Sequence, residues 1–229
     1  MNRCIKIEKV CTEAQDTKSI YFRDSLCGGA DAGQFVMLWL PGIDEIPMSL
    51  SRIGNISSVT ILKRGDCTEK LLSIEEGEKL FIRGPFGKGF TKTEGEKRFI
   101  AGGVGIAPLL PLIDKKSMVF LGGANSDSLP LVGEILAKGA ELEIATEDGS
   151  VGFKGTVIDL FFSENRERRK TYACGPMEML REIHARGLNA EAALESFVKC
   201  AIGMCDSCSI NGFRVCADGP VIKDLGEIW

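Results

Sequence analysis

The run Arg98-Phe-Ile-Ala-Gly102-Gly103-Val-Gly105-Ile-Ala-Pro108 sets the architecture of the chain. Four mostly apolar residues read as a buried strand. Three glycines follow, then a proline where the first turn of a helix would stand. A strand that ends in glycines before a helix start brings backbone amides close to a phosphate. The spacing departs from the G-x-G-x-x-G dinucleotide fingerprint, so a phosphate-approach loop is read here without that motif.

Downstream the pattern alternates. Apolar runs begin at Ser117, Glu141, Lys170 and Ala190, and helix-like pieces lie at 107–114, 129–138, 155–162 and 177–186. Such alternation predicts a parallel sheet with helices on both faces. The strands lead into Gly122-Gly-Ala-Asn-Ser126, Thr146-Glu-Asp-Gly-Ser150 and Cys174-Gly175-Pro176-Met177. Glycine-rich βα loops are ordinary, but four at one sheet edge point to a cleft, because ligands of open α/β sheets bind outside the carboxyl ends of the strands.

Upstream, short strands are expected at 4–11, 18–23, 35–40, 46–51, 58–63 and 79–83, broken by Cys27-Gly-Gly, Pro41-Gly, Gly54-Asn, Gly65-Asp and Gly84-Pro. Many short strands so spaced suggest an antiparallel barrel. A helical piece from Thr68 sits inside it, with Thr68 as its expected cap and a phosphate at its amide end. Pro47-Met48-Ser49-Leu50-Ser51, Gly65-Asp-Cys67-Thr68 and Gly84-Pro-Phe-Gly-Lys-Gly-Phe90 are candidate ligand loops. Turns are built from the same residue types, so each is also an ordinary turn taken singly.

The last thirty residues hold Cys200, Cys205, Cys208 and Cys216, at C-x4-C-x2-C-x7-C. Four converging thiolates suit an iron–sulfur cluster or zinc. The opening intervals are those of plant-type [2Fe–2S] proteins. Structural zinc draws on two tight Cys knuckles, and only Cys205 and Cys208 form one. Disulfides or idle thiols are the remaining reading. The other five cysteines, Cys4, Cys11, Cys27, Cys67 and Cys174, are scattered, and the total of nine is odd. That reads as a reducing cytoplasm with buried thiols and one metal site.

The 229 residues leave room for about two domains. A formal net charge of −4 without a basic block argues against nucleic acid. No apolar run reaches a membrane span, and the first ten residues alternate like a strand rather than a signal peptide. The one histidine, His184, lies on a helical stretch and is expected at the surface, which excludes His-rich metal sites.

Taken together, Gly84-Pro-Phe-Gly, the Gly102–Pro108 loop, Thr146-Glu-Asp-Gly with Gly152 and Gly155, and Cys174-Gly-Pro-Met-Glu-Met-Leu180 resemble the ferredoxin–NADP reductase superfamily. Glu195-Ser-Phe-Val-Lys-Cys-Ala-Ile-Gly-Met-Cys-Asp-Ser-Cys208 and Val215-Cys-Ala-Asp-Gly-Pro-Val221 resemble the electron-transfer subunits of NAD-dependent dihydroorotate dehydrogenases. The resemblance covers the whole chain. It implies an α+β multidomain protein with three parts: an antiparallel β-barrel for FAD (1–95), an α/β parallel-sheet domain for NAD (96–195) and a small C-terminal [2Fe–2S] segment (196–229).

It further implies electron transfer between NAD and an FMN-containing catalytic subunit in pyrimidine biosynthesis, as a heterotetramer of two of each. Pro47, Met48, Ser49, Leu50, Ser51, Leu62, Lys63, Gly65, Cys67 and Thr68 would serve FAD, with Ser49 and Ser51 facing the isoalloxazine. Gly102, Gly103, Gly105, Cys174, Gly175 and Pro176 would serve the nucleotide side. Cys174 would stand near both rings, or be a packed core thiol. The four tail cysteines would ligate the cluster, with no general acid or base in the chain. Ile202, Met204, Ile210 and Phe213 would receive the partner or pack around the cluster.

The chain departs from the family pattern in three places: Ile46 stands where an arginine meets the flavin pyrophosphate, the chain is shorter than most such subunits, and the last cysteine follows a shorter gap. Arg52, Lys63 or Arg64 could supply the missing charge. Ala124-Asn-Ser-Asp127 carries no arginine for a 2′-phosphate, which favours NAD. Two rival readings are a reductase subunit of a hydrogenase or ferredoxin–NADP transhydrogenase, and a zinc-tailed binding module.

Overall fold

The computed structural model describes residues 2–163 and 169–229. The first half is a barrel. Strands β1 (Arg3–Ala14), β2 (Thr17–Phe22), β3 (Phe35–Leu40), β4 (Asp44–Arg52), β5 (Ser57–Leu62) and β6 (Lys79–Phe86) close in the order β1-β2-β5-β4-β3-β6, all pairs antiparallel. Each expected strand is present, several of them longer than expected. Closure leaves no edge to protect. Inward residues alternate with outward ones, so Ile5, Ile7, Ile20, Phe22, Val36, Leu38, Val59, Ile61, Leu80 and Ile82 fill the interior. Each such side chain contributes about 1.5–3 kcal/mol on burial.

Helix α1 (Ser25–Gly28) is capped by Asp24, whose carboxylate accepts from Cys27 N and is held by Arg3. Helix α2 (Asp66–Leu72) begins two residues before Thr68. Thr68 is therefore not the cap residue. Its Oγ1 accepts from the amides of Arg64 and Gly65 and donates to the Gly65 carbonyl, so it closes the loop from inside the first turn.

The second half is a sheet in the order β10-β9-β8-β7-β11-β12-β15. Its parallel members are β7 (Lys97–Gly102), β8 (Ser117–Gly123), β9 (Glu141–Thr146), β10 (Phe153–Lys154), β11 (Lys170–Cys174) and β12 (Glu191–Ala193). Period-two alternation divides the core. Ile100, Phe120, Ala173 and Ala192 face α4 (Val157–Ser163) and α5 (Met177–Ala185). Phe99, Ala101, Val119, Tyr172, Cys174 and Ala193 face α3 (Val132–Ala137) and the segment after Gly102. Both faces are covered, as the apolar runs predict.

The segment after Gly102 differs from the expected α-helix. Residues 103–113 form two 3-10 turns, with Leu112 N bonded to Leu109 O and Ile113 N to Leu110 O. Pro108 and Pro111 have no N–H to offer an α-helical ladder. The tail also does not stand apart. After the hairpin of β13 (Ser209–Ile210) and β14 (Phe213–Arg214), strand β15 (Val221–Ile222) pairs antiparallel with β12 and extends the sheet. The tail residues Val198, Ala201, Val215, Leu225 and Ile228 share the core under α4 and α5.

Candidate functional site

Two cavities meet where barrel, sheet and tail converge. The first, about 420 Å³, has a barrel wall of Phe35, Ile46, Pro47, Met48, Ser49, Thr60, Leu62, Arg64 and Thr68. The sheet supplies Val104, Gly105, Ala107, Pro108, Cys174, Ala193 and Leu194, and the tail supplies Glu195, Ser196, Val198, Val215 and Pro220. Such volume and apolar lining suit an aromatic ligand. The second cavity, about 950 Å³, opens at the carboxyl ends of β7, β8 and β9 and includes Gly102, Gly103, Gly122, Gly123, Asn125, Asp127, Glu147 and Pro176. Leu62, Arg64, Val104 and Glu195 line both, so the two are continuous.

The expected ligand residues separate in space. Pro47, Met48, Ser49, Leu62 and Thr68 line the smaller cavity, and Lys63 the larger. Leu50 points into the barrel core, fully buried, and lines neither. The β4–β5 pairing shifts register between Leu50 and Arg52, and the Ser51 hydroxyl joins buried Ser58 and Thr60, each 2.9 Å away. Ser51 stays on the outer face of the barrel, opposite Leu50, but its hydroxyl is engaged with those two and it lines neither cavity. Gly65 and Cys67 line neither cavity; Cys67 packs against the barrel core.

Gly175 packs behind the Gly102 loop, where a Cβ would meet Met179 Cε at 2.6 Å. At Gly105 a Cβ would lie 2.3 Å from the Cys174 carbonyl oxygen, so only glycine lets that loop pass the end of β11. Cys174 is buried, and desolvation, aided by the Glu195 charge, pushes its thiol well up. Glu195 stands in the concave wall, reached by solvent yet ringed by protein. Desolvation raises its carboxyl while Arg64 opposes the rise.

Among the three cations considered for the Ile46 position, Arg64 alone reaches the smaller cavity. Arg52 lies in a separate hollow of about 660 Å³ beside Glu134, and Lys63 is paired with Glu69.

The tail loop turns its amides onto sulfur. Cys200 Sγ accepts from Ile202 N at 3.5 Å and Met204 N at 3.3 Å, Cys216 Sγ from Gly203 N at 3.3 Å, and Cys208 Sγ from Cys216 N at 3.4 Å. Backbone N–H groups, that of Ile202 first and then those of Cys205 and Met204, lower the Cys200 thiol to about 6. Ser207 holds Cys205 down as well, whereas burial pushes Cys216 up to about 11.

Cys200 faces Cys205, and Cys208 faces Cys216. Among the described residues no group of three or more His, Cys, Asp or Glu gathers around one ion position. The four thiols stand two and two, all free. The hairpin that brings Cys216 back turns at Asn211-Gly212, with φ of 49° and 86°, a two-residue type I′ pattern.

Around this loop Met204 is 80% exposed, Phe197 68% and Ile202 56%. Ile210 and Phe213, also expected at that surface, are half-buried against the core. His184 lies against Trp229 rather than near either cavity. No helix among the described residues is long and apolar enough to cross a membrane.

Barrel, doubly covered sheet and a cysteine tail in this order are the architecture of ferredoxin–NADP reductase-like oxidoreductases. A chain from a study of flavin-based electron bifurcation, the NADH-dependent reduced ferredoxin-NADP oxidoreductase, superposes with a TM-score of 0.84 at 27% identity, over 98% of this chain and 91% of its own. A flavohemoglobin from Malassezia yamatoensis shares the fold at a TM-score of 0.70 and 19% identity, over 83% of this chain and 60% of its own.

Residues 195–224 match the model of the iron-sulfur cluster binding domain of dihydroorotate dehydrogenase B. The probable dihydroorotate dehydrogenase B (NAD(+)) electron transfer subunits of Thermoplasma acidophilum and Archaeoglobus fulgidus are each 39% identical. The first match covers 96% of this chain and 88% of the relative, the second 99% and 98%. The chain belongs to the family of dihydroorotate dehydrogenase B electron transfer subunits.

Proposed function

We propose that this chain carries electrons between NAD, bound in the larger cavity, and a catalytic subunit that oxidises dihydroorotate, through FAD in the smaller cavity and a [2Fe–2S] cluster on Cys200, Cys205, Cys208 and Cys216. The catalytic subunit would carry FMN, in a heterotetramer of two of each chain. The working division of the sequence is 1–95, 96–195 and 196–229. The observation that carries this reading is continuity: the smaller cavity shares four lining residues with the larger and takes the rest of its wall partly from the cysteine tail. A flavin accepts a hydride and releases single electrons, which is the conversion such an order needs.

The residues fit those groups. Pro47, Met48 and Ser49 offer one wall to a flat ring, with Val104, Gly105 and Cys174 opposite. Cys174 is kept neutral there, as a thiol that packs rather than attacks. Arg64 supplies the positive charge that Ile46 does not, next to Thr68. Among the described residues, the α/β side of the larger cavity carries Asp127, Glu147, Glu178 and Glu182 and no lysine or arginine, which disfavours a 2′-phosphate and favours NAD over NADP. Two-and-two thiols receiving backbone N–H bonds suit a binuclear cluster better than one tetrahedral zinc. The exposed Met204, Phe197 and Ile202 would meet the partner beside the cluster.

The 0.84 superposition on the bifurcating oxidoreductase supports a second reading, a reductase subunit serving ferredoxin-linked nucleotide exchange. One experiment separates the two. Protein purified without oxygen is given NADH, then orotate with and without a dihydroorotate dehydrogenase catalytic subunit, and its visible spectrum is followed. Flavin and cluster bands that bleach with NADH and return with orotate only when the partner is present support the first reading. Bleaching without return supports the second, and a colourless zinc protein defeats both.

A further inference from the structure

We propose that Arg83, braced by Glu45, is a positioning residue that clamps the cysteine loop to the barrel and so sets the placement and reduction potential of the metal group held there. The proposal rests on the reading that the tail cysteines hold an iron–sulfur cluster.

Arg83 lies near the end of β6, far from the tail in sequence. Its guanidinium uses one edge on Glu45 of β4, with Nε to Oε1 at 2.6 Å and Nη2 to Oε2 at 2.7 Å. The other donors cross to the tail: Nη1 to the Cys200 carbonyl at 2.8 Å and Nη2 to the Lys199 carbonyl at 3.0 Å. A planar fork of fixed donors can hold two carbonyls and a carboxylate at once; an ammonium cannot.

The held carbonyl belongs to the first cysteine itself. The next residue, Ala201, has φ of 62°, the left-handed region that residues with a Cβ enter at a cost. That turn sends the amides of Ile202 and Met204 back onto Cys200 Sγ and that of Gly203 onto Cys216 Sγ. Clamping the Cys200 carbonyl fixes the peptide plane from which this reversal starts. Ala201 is buried in the core, so its position is doubly determined.

The clamp also reaches toward the flavin side. The guanidinium carbon lies 5.4 Å from the Phe86 ring centroid, and Phe86 packs at 5.8 Å on Phe35, a wall of the smaller cavity. One side chain thus joins the cysteine loop to the strands that shape that cavity. Groups that support ligands from behind fix their orientation and tune the metal.

The test uses the full chain purified without oxygen, as wild type, Arg83→Lys, Arg83→Ala and Glu45→Gln. Iron and sulfide per chain, the rate of cluster loss to a chelator, the EPR signal after dithionite and the midpoint potential are measured on each. Arg83→Ala loses the cluster about 10- to 100-fold faster, with a broadened EPR signal and a shifted potential, while its flavin-to-protein ratio reports correct folding. Arg83→Lys falls between it and wild type, because one donor remains for the Cys200 carbonyl. Glu45→Gln keeps the loop bonds but strips the counter-charge, so the potential rises without faster loss. Wild-type loss rate, EPR shape and potential in all three variants, with or without a lowered Tm, overturn the proposal. A wild-type protein lacking iron and sulfide overturns it together with the cluster reading.

Discussion

At the end of β11, Cys174 is packed under the Gly105 loop, while in the tail Cys200 is held among backbone amides. The two thiols are alike in chemistry and opposite in setting. Around Cys174 burial, aided by the Glu195 charge, makes the anion costly. Around Cys200 two backbone N–H groups point at sulfur, and the anion is favoured before any metal arrives. Burial makes a cysteine a small apolar side chain, whereas converging amides make it a ligand.

The sharpest test exchanges the two. Cys200→Ser removes a proposed ligand, and transfer to a partner is expected to fall beyond the roughly 100-fold limit seen for supporting groups; iron and sulfide analysis shows the loss while flavin stays. Cys174→Ser keeps iron and sulfide, and a variant that lost them would break the contrast. Gly105→Ala comes next. Its Cβ would strike the backbone of Cys174, which has no free end to swing aside, and overpacking of that kind costs about 3 kcal/mol in denaturant unfolding.

Arg64→Ala removes the charge offered to the smaller cavity. Loss of a charged hydrogen bond is worth about 1.5–3 kcal/mol, so FAD binding to the flavin-free protein, followed by fluorescence, weakens on the order of 10- to 100-fold.

The smallest effect concerns pH. Burial pushes Cys27 up to about 12 from an ordinary value of about 9. Between those values the folded chain keeps that proton and the unfolded chain releases it, so stability falls as pH rises through the window. The slope is about 1.4 kcal/mol per pH unit for one thiol. Denaturant unfolding of Cys27→Ala at pH 9 to 11 is expected to show a flatter fall. In metal-free protein Cys200 acts with the opposite sign, because its lowered value gives stability above about 9 that is lost as pH falls toward 6.

Much of this was legible in the chain. Barrel and sheet strands follow from alternation and punctuation, since a closed barrel and a covered sheet bury what the pattern marks as apolar. The cysteine spacing located the tail site, and the glycine loops located the cleft. Local pattern failed where long-range pairing decides. Ser51 shares its parity with Ser49, yet bonds to Ser58 and Thr60 on the next strand bury it away from both cavities. Residues 107–114 have helical composition, but two prolines reduce them to 3-10 turns. Strand β15 is two residues long and exists only because β12 lies beside it. Arg83 looked like any strand-end arginine, as its tail partners are more than 115 residues away.

That last strand reaches beyond electron transfer. A β12 left without β15 would end the sheet in an open row of amides and carbonyls, a template for stray chains. Removing the tail to make a simpler flavoprotein would therefore trade a metal centre for a sticky margin. The segment proposed to wire the molecule to its neighbour also insulates it from itself.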